Sequence, residues 1–161
     1  MNKMLFGLVP VLLISYGCAT PYQELGEAGG YLQKKLTEDT YQVTFHGNGY
    51  TNRPRVRDFA LLRAAEIGRQ LGYAYLTVEG EEDCSRTSIA NMGSTSHTTG
   101  TVYPSGFYTG TTTSYEPDVP VVKPGVILQV RYYEGEPAGR HLESYRVDDA
   151  INTIRAKYKL R

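Results

Sequence analysis

The sequence predicts an α+β domain, a small sheet of about four strands with two helices on one face, in the order β-β-α-β-(long loop)-β-α. Two apolar patterns carry this prediction. Apolar and polar side chains alternate over residues 41–46, which is the period of a half-buried strand. Between Arg55 and Leu71 the apolar side chains recur at intervals of three and four, the period of a helix with one buried face. A strand pattern at 76–78 follows, and the two strands flanking the helix would run parallel in one sheet.

The ends of this helix carry sequence signals of their own. Thr51 or Asn52 can cap the first turn, which also tolerates a proline because the missing N–H group needs no partner there. We therefore expect the helix to begin at Pro54. Gly72 follows the last periodic residue and supplies the left-handed conformation that ends many helices.

Three further segments complete the predicted domain, which covers residues 30–161. Residues 31–46 predict a hairpin with a polar first strand, and residues 126–133 alternate as the clearest strand in the chain. Apolar residues at helical spacing between 147 and 158 predict the second helix, with Ser144 as its N-cap.

Residues 85–124 separate the last two predicted strands. They are rich in Ser, Thr, Gly and Tyr and nearly free of aliphatic side chains, so little apolar surface offsets the entropy cost of ordering them. We expect a mostly disordered insertion. Rigid aromatic rings in such a background favour recognition, and they predict a possible interaction loop made of Tyr103, Phe107, Tyr108 and Tyr115. The alternative is a low-complexity loop without a partner.

The first 17 residues predict an export signal. Lys3 supplies a positive charge, and the apolar run at 5–14 is shorter than the roughly 20 residues that span a bilayer. The end of this signal, Gly17 followed by Cys18, resembles the lipobox of bacterial lipoproteins, although Ser15 stands where that pattern favours Leu. The resemblance implies cleavage before Cys18 and acyl chains on its sulfur, which hold a protein on a membrane.

Lipidation of Cys18 would place the protein in the bacterial envelope. Residues 18–29, which lack periodicity, would then be a tether between the lipid and the domain. The residue after the cysteine is Ala19 and not Asp, which in such lipoproteins would argue against the outer membrane. By the same resemblance, Ala19 implies the outer membrane, facing the periplasm. The alternative is an ordinary secretory signal cut near Ala19, which would leave a soluble periplasmic protein.

Charge and residue spacing argue against several other functions. The chain carries 17 basic and 17 acidic side chains, a balance that does not indicate a nucleic-acid partner. His46, His97 and His141 have no ligand-like spacing to each other or to Cys84, so no metal and no other cofactor is predicted. The acidic run at 79–83 lacks the alternating oxygen ligands of a calcium loop. No acid, base and nucleophile come together in the sequence, so no enzymatic activity is predicted.

Two features near the first helix also have an ordinary structural interpretation. Residues 47–49 are too short for a phosphate-binding loop and favour a turn between strand and helix. Five arginines on or beside the helix could meet lipid phosphates, but Asp58 and Glu66 lie among them and compensate their charge.

Residues 47–66 read GNGYTNRPRVRDFALLRAAE. This run resembles an uncharacterised family of bacterial envelope lipoproteins that share a pattern close to G-N-G-Y-T-x-R-x-x-V-x-D-F-A-L-x-R-A-A-E. The likeness covers about residues 40–80, and neither Pro54 nor Cys84 has a place in it. It implies export and anchoring, and it brings no activity, cofactor or catalytic residue.

The function expected from these observations is that of a non-enzymatic, membrane-anchored envelope lipoprotein, acting as an interaction or structural module. Its partners would be the membrane, through acyl chains on Cys18, and another envelope protein. The alternative is a periplasm-facing module that binds a small ligand, or is linked to stress, and uses the face of its sheet.

Overall fold

The computed structural model describes residues 18–91, 95–115, 118–137 and 143–160. The predicted leader at 1–17 and the side chain of His141 lie outside these ranges. The described elements, in chain order, are β1 (Gly30–Lys35), β2 (Thr40–His46), α1 (Arg53–Leu71), β3 (Tyr75–Asp83), β4 (Arg86–Asn91), β5 (Thr95–Val102), β6 (Tyr108–Tyr115), β7 (Asp118–Lys123), β8 (Gly125–Tyr133), β9 (Ser144–Arg146) and α2 (Val147–Tyr158).

The main sheet contains five strands in the order β1-β2-β8-β3-β9, and neighbouring strands are antiparallel. Because β2 and β3 both pair with β8, they run parallel to each other, as predicted, with the later strand between them. The α+β class is confirmed. The predicted count of about four strands is wrong, since nine strands are present among the described residues.

α1 packs its apolar side chains against one face of this sheet, where it contacts β2 and β8, and α2 packs against α1. Alternate residues of β8 point into that layer, and Tyr132 lies against α1, where its hydroxyl donates to the Ala64 carbonyl at 2.8 Å. A side chain at Gly68 would meet the Tyr132 ring at 2.9 Å, so a glycine is required at this crossing. The largest fully buried side chains include Phe45, Phe59, Leu62, Leu76, Leu128 and Ile151.

The helix ends agree with the sequence at one helix and differ at the other. α1 begins at Arg53, one residue earlier than predicted, and the Asn52 side chain accepts the cap hydrogen bond. Gly72 ends this helix in the left-handed conformation, as predicted. The expected cap at Ser144 is wrong, because Ser144 pairs with β3 in the short strand β9 and α2 begins only at Val147. Because residues 144–146 pair with β3, the N-cap of α2 is Arg146 instead.

The segment predicted to be a mostly disordered insertion consists largely of strands. β4 pairs with β7, and β5 pairs with β6. These ladders prolong the β3–β8 pairing along the same two chain segments, because Asp83 faces Val126, Arg86 faces Lys123 and Val102 faces Tyr108. We call residues 86–123 the β-arm. Its threonines and valines are β-branched and favour extended backbone, so a local partner strand orders the segment without an apolar core.

Residues 18–29 also differ from the prediction, which made them a tether. Thr20 is fully buried. The ring of Tyr22 lies 5.1 Å from that of Tyr31 and 5.4 Å from that of Phe59, centroid to centroid. The segment therefore belongs to the folded domain from its first described residues onward.

Candidate functional site

The candidate site begins where the described chain begins, at the exposed Cys18. The Asn48 side-chain amide donates to the Cys18 carbonyl at 2.7 Å. Two residues further on, the Thr20 backbone N–H donates to the Thr51 hydroxyl at 2.8 Å, and the Thr20 hydroxyl accepts from the Asn48 N–H at 2.8 Å. The loop between β2 and α1 therefore fixes the predicted lipidation residue on the surface of the domain.

This loop owes its shape to Gly47 and Asn48. The Asn48 side-chain oxygen accepts from the Tyr50 N–H at 3.0 Å and from the Thr51 hydroxyl at 2.9 Å, which closes a tight turn. Gly47 is buried, and a Cβ there would lie 2.9 Å from the Thr51 Cβ and 3.0 Å from Val56. The GNGYT run thus binds residues 18–20, whereas the sequence alone predicted only a turn between strand and helix.

A second contact between the N-terminal segment and α1 involves charged groups. Glu66 is buried and accepts from the Tyr22 hydroxyl at 2.5 Å and from the Arg155 guanidinium at 2.8 Å. Arg63 lies 3.4 Å from the same carboxylate and stacks over the Tyr31 ring at 4.7 Å. Burial, with the neighbouring Glu66, raises the pKa of Tyr22 well above its usual range, so the phenol stays protonated as a donor.

A cavity of about 220 Å³ lies beside the anchored loop. Its wall includes Asn48 and His46 from the loop and the end of β2, and Glu27 from the N-terminal segment. The base of the β-arm contributes Arg86 and Lys123, which face each other directly in the β4–β7 ladder. Positive charge therefore predominates around this opening.

His46 and Cys84 meet at the same junction, with 4.0 Å between the sulfur and Nδ1. No sequence pattern predicts this pair, because the two residues are far apart in the chain and close only through the β2–β8–β3 pairing. Burial raises the pKa of the Cys84 thiol and lowers the pKa of His46, and the charge of Arg86 adds to the His46 shift. Both groups are thus held neutral, which is the opposite of an activated thiolate and imidazolium.

The other predicted ligand candidates are separate from this junction. His97 is exposed on β5. The acidic run is divided between the two faces of β3, where Glu81 pairs with Arg57 at 2.8 Å and Glu79 with Arg131 at 3.1 Å. Within the described ranges, no three His, Cys, Asp or Glu side chains come together as a metal site.

A larger cavity of about 500 Å³ lies between the first turn of α1 and the ends of β3 and β8. Arg53 crosses its rim to Asp83 at 2.9 Å, and Arg57 binds both Glu81 and Glu143. Asp58, which also lines the cavity, pairs with Lys157 at 2.6 Å. The charged groups of the lining are thus paired, and its apolar part includes Val56, Pro124 and Val126.

The predicted interaction residues lie at the tip of the β-arm and along its end strands. Tyr103 and Phe107 flank the tip turn, with ring centroids 6.2 Å apart and side chains 47% and 65% exposed. Tyr108 begins β6, and its ring covers Gly100 and Gly110, which face each other across the ladder. Tyr115 ends β6, and its side chain lies outside the described part of the chain.

The tip turn is closed by two backbone hydrogen bonds. The Tyr103 N–H donates to the Phe107 carbonyl and the Gly106 N–H to the Tyr103 carbonyl, both at 2.9 Å. Gly106 has φ +82°, the left-handed value that completes a hairpin turn of this kind. The structure therefore brings three of the four predicted aromatic residues together at an ordered, exposed tip.

No protein-family model, curated protein or solved structure shows significant similarity to this chain. The resemblance of residues 47–66 to envelope lipoproteins therefore stays a prediction. In the described ranges, neither helix is long and apolar enough to cross a membrane.

Proposed function

We propose that the protein is a non-enzymatic lipoprotein of the bacterial envelope, anchored through acyl chains on Cys18, that presents its β-arm to another envelope protein. The observation that carries the interaction role is the aromatic tip. Tyr103, Phe107 and Tyr108 are each about half exposed or more, on a hairpin whose other described side chains are exposed and mostly small and polar, with Val102 as a further exposed apolar residue beside the rings. Exposed rings on an ordered hairpin provide contact area without the entropy cost of folding a loop.

The anchor is supported by the lipobox-like end of the leader and by the position of Cys18. A lipidated residue must reach its modifying enzymes and the membrane, and Cys18 is exposed at the edge of the domain. The absence of an enzymatic role is supported by the state of Cys84, because a half-buried thiol with a raised pKa beside an imidazole with a lowered pKa is a weak nucleophile.

Mass spectrometry of the mature N-terminal peptide tests the anchor. We expect Cys18 to be the first residue and to carry acyl chains. A mature chain that begins at Ala19 or Thr20 would refute the anchor.

Site-specific photocrosslinking in intact cells tests the interaction arm. A photoreactive phenylalanine analogue at Phe107 should give a discrete crosslinked envelope protein, and the same analogue at Leu36, an exposed position in the β1–β2 turn, should not. Replacing residues 92–117 with Asn-Gly keeps the Asn91–Asp118 pair and closes β4–β7 with a two-residue turn, so the base of the arm is preserved. This variant should lose co-purification of the crosslinked protein. Equal crosslinking at Phe107 and Leu36 would contradict the proposal.

A second candidate function, small-ligand binding, is favoured by the 500 Å³ cavity, which falls in the size range of ligand sites. That cavity lies on the helix-covered side of the sheet. A ligand held there should raise the thermal midpoint of the wild type, and Val126→Phe, which fills the apolar part of the cavity, should abolish the shift.

A further inference from the structure

We propose that Arg86 and Lys123 together bind the phosphate of an anionic membrane lipid and hold the Cys18 end of the domain flat against the bilayer. This inference rests on the proposed lipid anchor, since acylation of Cys18 is what brings this end to a membrane. It adds an orientation and a headgroup site, both independent of the acyl chains themselves.

Cys18 is held close to the surface of the domain. The Cys18 carbonyl is held by Asn48 at 2.7 Å, and Thr20 is fully buried under its hydrogen bonds to the same loop. Two residues of extended chain span at most about 7 Å. Acyl chains on the Cys18 sulfur therefore enter the bilayer within a few ångströms of the loop, and the surface around it meets the lipid headgroups.

Arg86 and Lys123 are the cations on that surface that lack a carboxylate partner. They are directly opposite in the β4–β7 ladder, and like charges in that position repel each other. Neither forms an ion pair with any described residue, whereas Arg53, Arg57 and Arg131 each do. An anion placed between the two side chains would relieve the repulsion and accept hydrogen bonds from both.

The position of the pair favours a lipid over a free anion. Arg86 and Lys123 line the 220 Å³ cavity together with Asn48, the residue that binds Cys18. The arm and the loop are in direct contact, because a Cβ on Gly49 would lie 2.4 Å from the Val121 side chain. The cation pair and the anchor thus share one end of the domain, and phosphate groups are the main anions at a membrane surface.

Tyr50 completes the proposed membrane-facing surface. It lies in the same loop, two residues after Asn48, and is 77% exposed. Tyrosine is enriched at the membrane interface, where its ring enters the apolar boundary and its hydroxyl stays among the headgroups. The loop therefore offers an aromatic contact beside the cation pair.

Tryptophan fluorescence of the full-length acylated protein tests the orientation, because the chain contains no native tryptophan. Tyr50→Trp places a single probe on the proposed surface, and Leu36→Trp places one at the opposite end of the β1–β2 hairpin. The protein is reconstituted into vesicles with brominated acyl chains, made either of phosphatidylcholine or of equal parts phosphatidylcholine and phosphatidylglycerol. We expect quenching of Trp at position 50 that is stronger in the anionic vesicles, and little quenching at position 36.

The double substitution R86Q/K123Q, in the Tyr50→Trp background, tests the cation pair. Each cation near an anionic surface contributes about 1 kcal/mol, so the ratio of docked to undocked domains should fall roughly 30-fold. The matched control K34Q/K35Q removes two exposed lysines of β1 and should leave the quenching unchanged. Arg86→Lys keeps the charge and should also keep the quenching, which separates loss of charge from loss of fold.

Several results would overturn the inference. Quenching at position 50 that is the same in both vesicles would exclude a preference of the pair for an anionic lipid. Quenching that is unchanged in R86Q/K123Q would exclude a role of the pair in docking. Protein that floats with the vesicles but shows no quenching would refute the docking and leave the anchor intact. Protein that does not float, with an unmodified Cys18, would instead refute the proposed function.

Discussion

The body of the domain and the β-arm share two continuous chain segments, yet different forces stabilise them. In the body, β3 and β8 bury Leu76 and Leu128 against the helices. In the arm, the described side chains of β5 and β6 are exposed, and their contacts are with each other, as in the 2.9 Å hydrogen bond between the Thr98 and Thr112 hydroxyls. Apolar burial stabilises the first region, and backbone pairing with β-branched neighbours stabilises the second.

This difference has a thermodynamic consequence. A two-stranded hairpin without a covering layer is only marginally stable in water, so the arm can open without unfolding the body. Substitutions of the same residue type should therefore change global stability in the body and local order in the arm. Matched pairs of substitutions can test this division.

The largest contrast is expected between two phenylalanines. Phe59 is fully buried and contacts the rings of Phe45 and Tyr158, so Phe59→Ala should lower the free energy of unfolding by about 3–5 kcal/mol. Phe107 is 65% exposed at the arm tip, and Phe107→Ala should change it by less than about 0.5 kcal/mol. Urea unfolding followed by circular dichroism measures both values. Similar losses for the two variants would mean that the tip packs on the body.

A smaller effect tests whether residues 18–29 belong to the body. Thr20→Val keeps the shape of a fully buried side chain but removes its hydrogen bonds to the Ala28 carbonyl and the Asn48 N–H, which should cost about 1–3 kcal/mol. Thr37→Val, at an exposed turn, is the matched control and should cost less than about 0.5 kcal/mol. Unchanged stability of Thr20→Val would restore the tether that the sequence suggested.

The elements of the body were predictable from the sequence because their buried faces require apolar residues at regular spacing. The alternation at 41–46 and the helical spacing up to Leu71 both reflect a face turned toward one core, and Gly72 marked the helix end by its backbone requirement. The predicted N-cap at Ser144 was wrong because residues 144–146 form a short strand that pairs with β3. A strand of three residues is too short to show an alternating apolar pattern.

The arm and the candidate site were harder to predict, for two physical reasons. A low apolar content indicates the lack of a core, but it does not exclude a hairpin, whose strands need only each other. The contacts of Asn48 with Cys18, of His46 with Cys84 and of Arg86 with Lys123 join residues far apart in the chain, so no local pattern records them. The one sequence signal for the arm was its ability to form a hairpin. If the segment folds back on itself, residues that follow 86 pair with residues that precede 123, as they do in the β4–β7 ladder.

Alanine substitutions at two glycines with similar positive φ angles can distinguish a local from a global loss of stability. Gly72 ends α1 at φ +85° and Gly106 completes the arm turn at φ +82°, and a Cβ at either position would meet no atom within 4 Å. Alanine at each should therefore cost about 1 kcal/mol through backbone strain alone. For Gly72→Ala the cost should appear in the global free energy of unfolding. For Gly106→Ala it should appear only as faster amide hydrogen exchange at Tyr103, whose N–H donates to the Phe107 carbonyl across the turn. A global loss would show that the arm and body unfold together.

The smallest expected effect lies at the junction of the two regions. Burial of His46, and the charge of Arg86 at the base of the arm, lower the pKa of His46 below 6.5. The folded state therefore binds this proton less readily than the unfolded chain, so its contribution to stability is unaffected above pH 6.5 and falls as the pH drops from 6.5 toward the folded pKa. An NMR titration should give a His46 pKa below 6.5, and Arg86→Gln should move it upward without restoring it, because burial remains the larger cause. His46→Gln should remove this part of the pH dependence. A His46 pKa at or above 6.5 would show that the base of the arm does not cover the histidine.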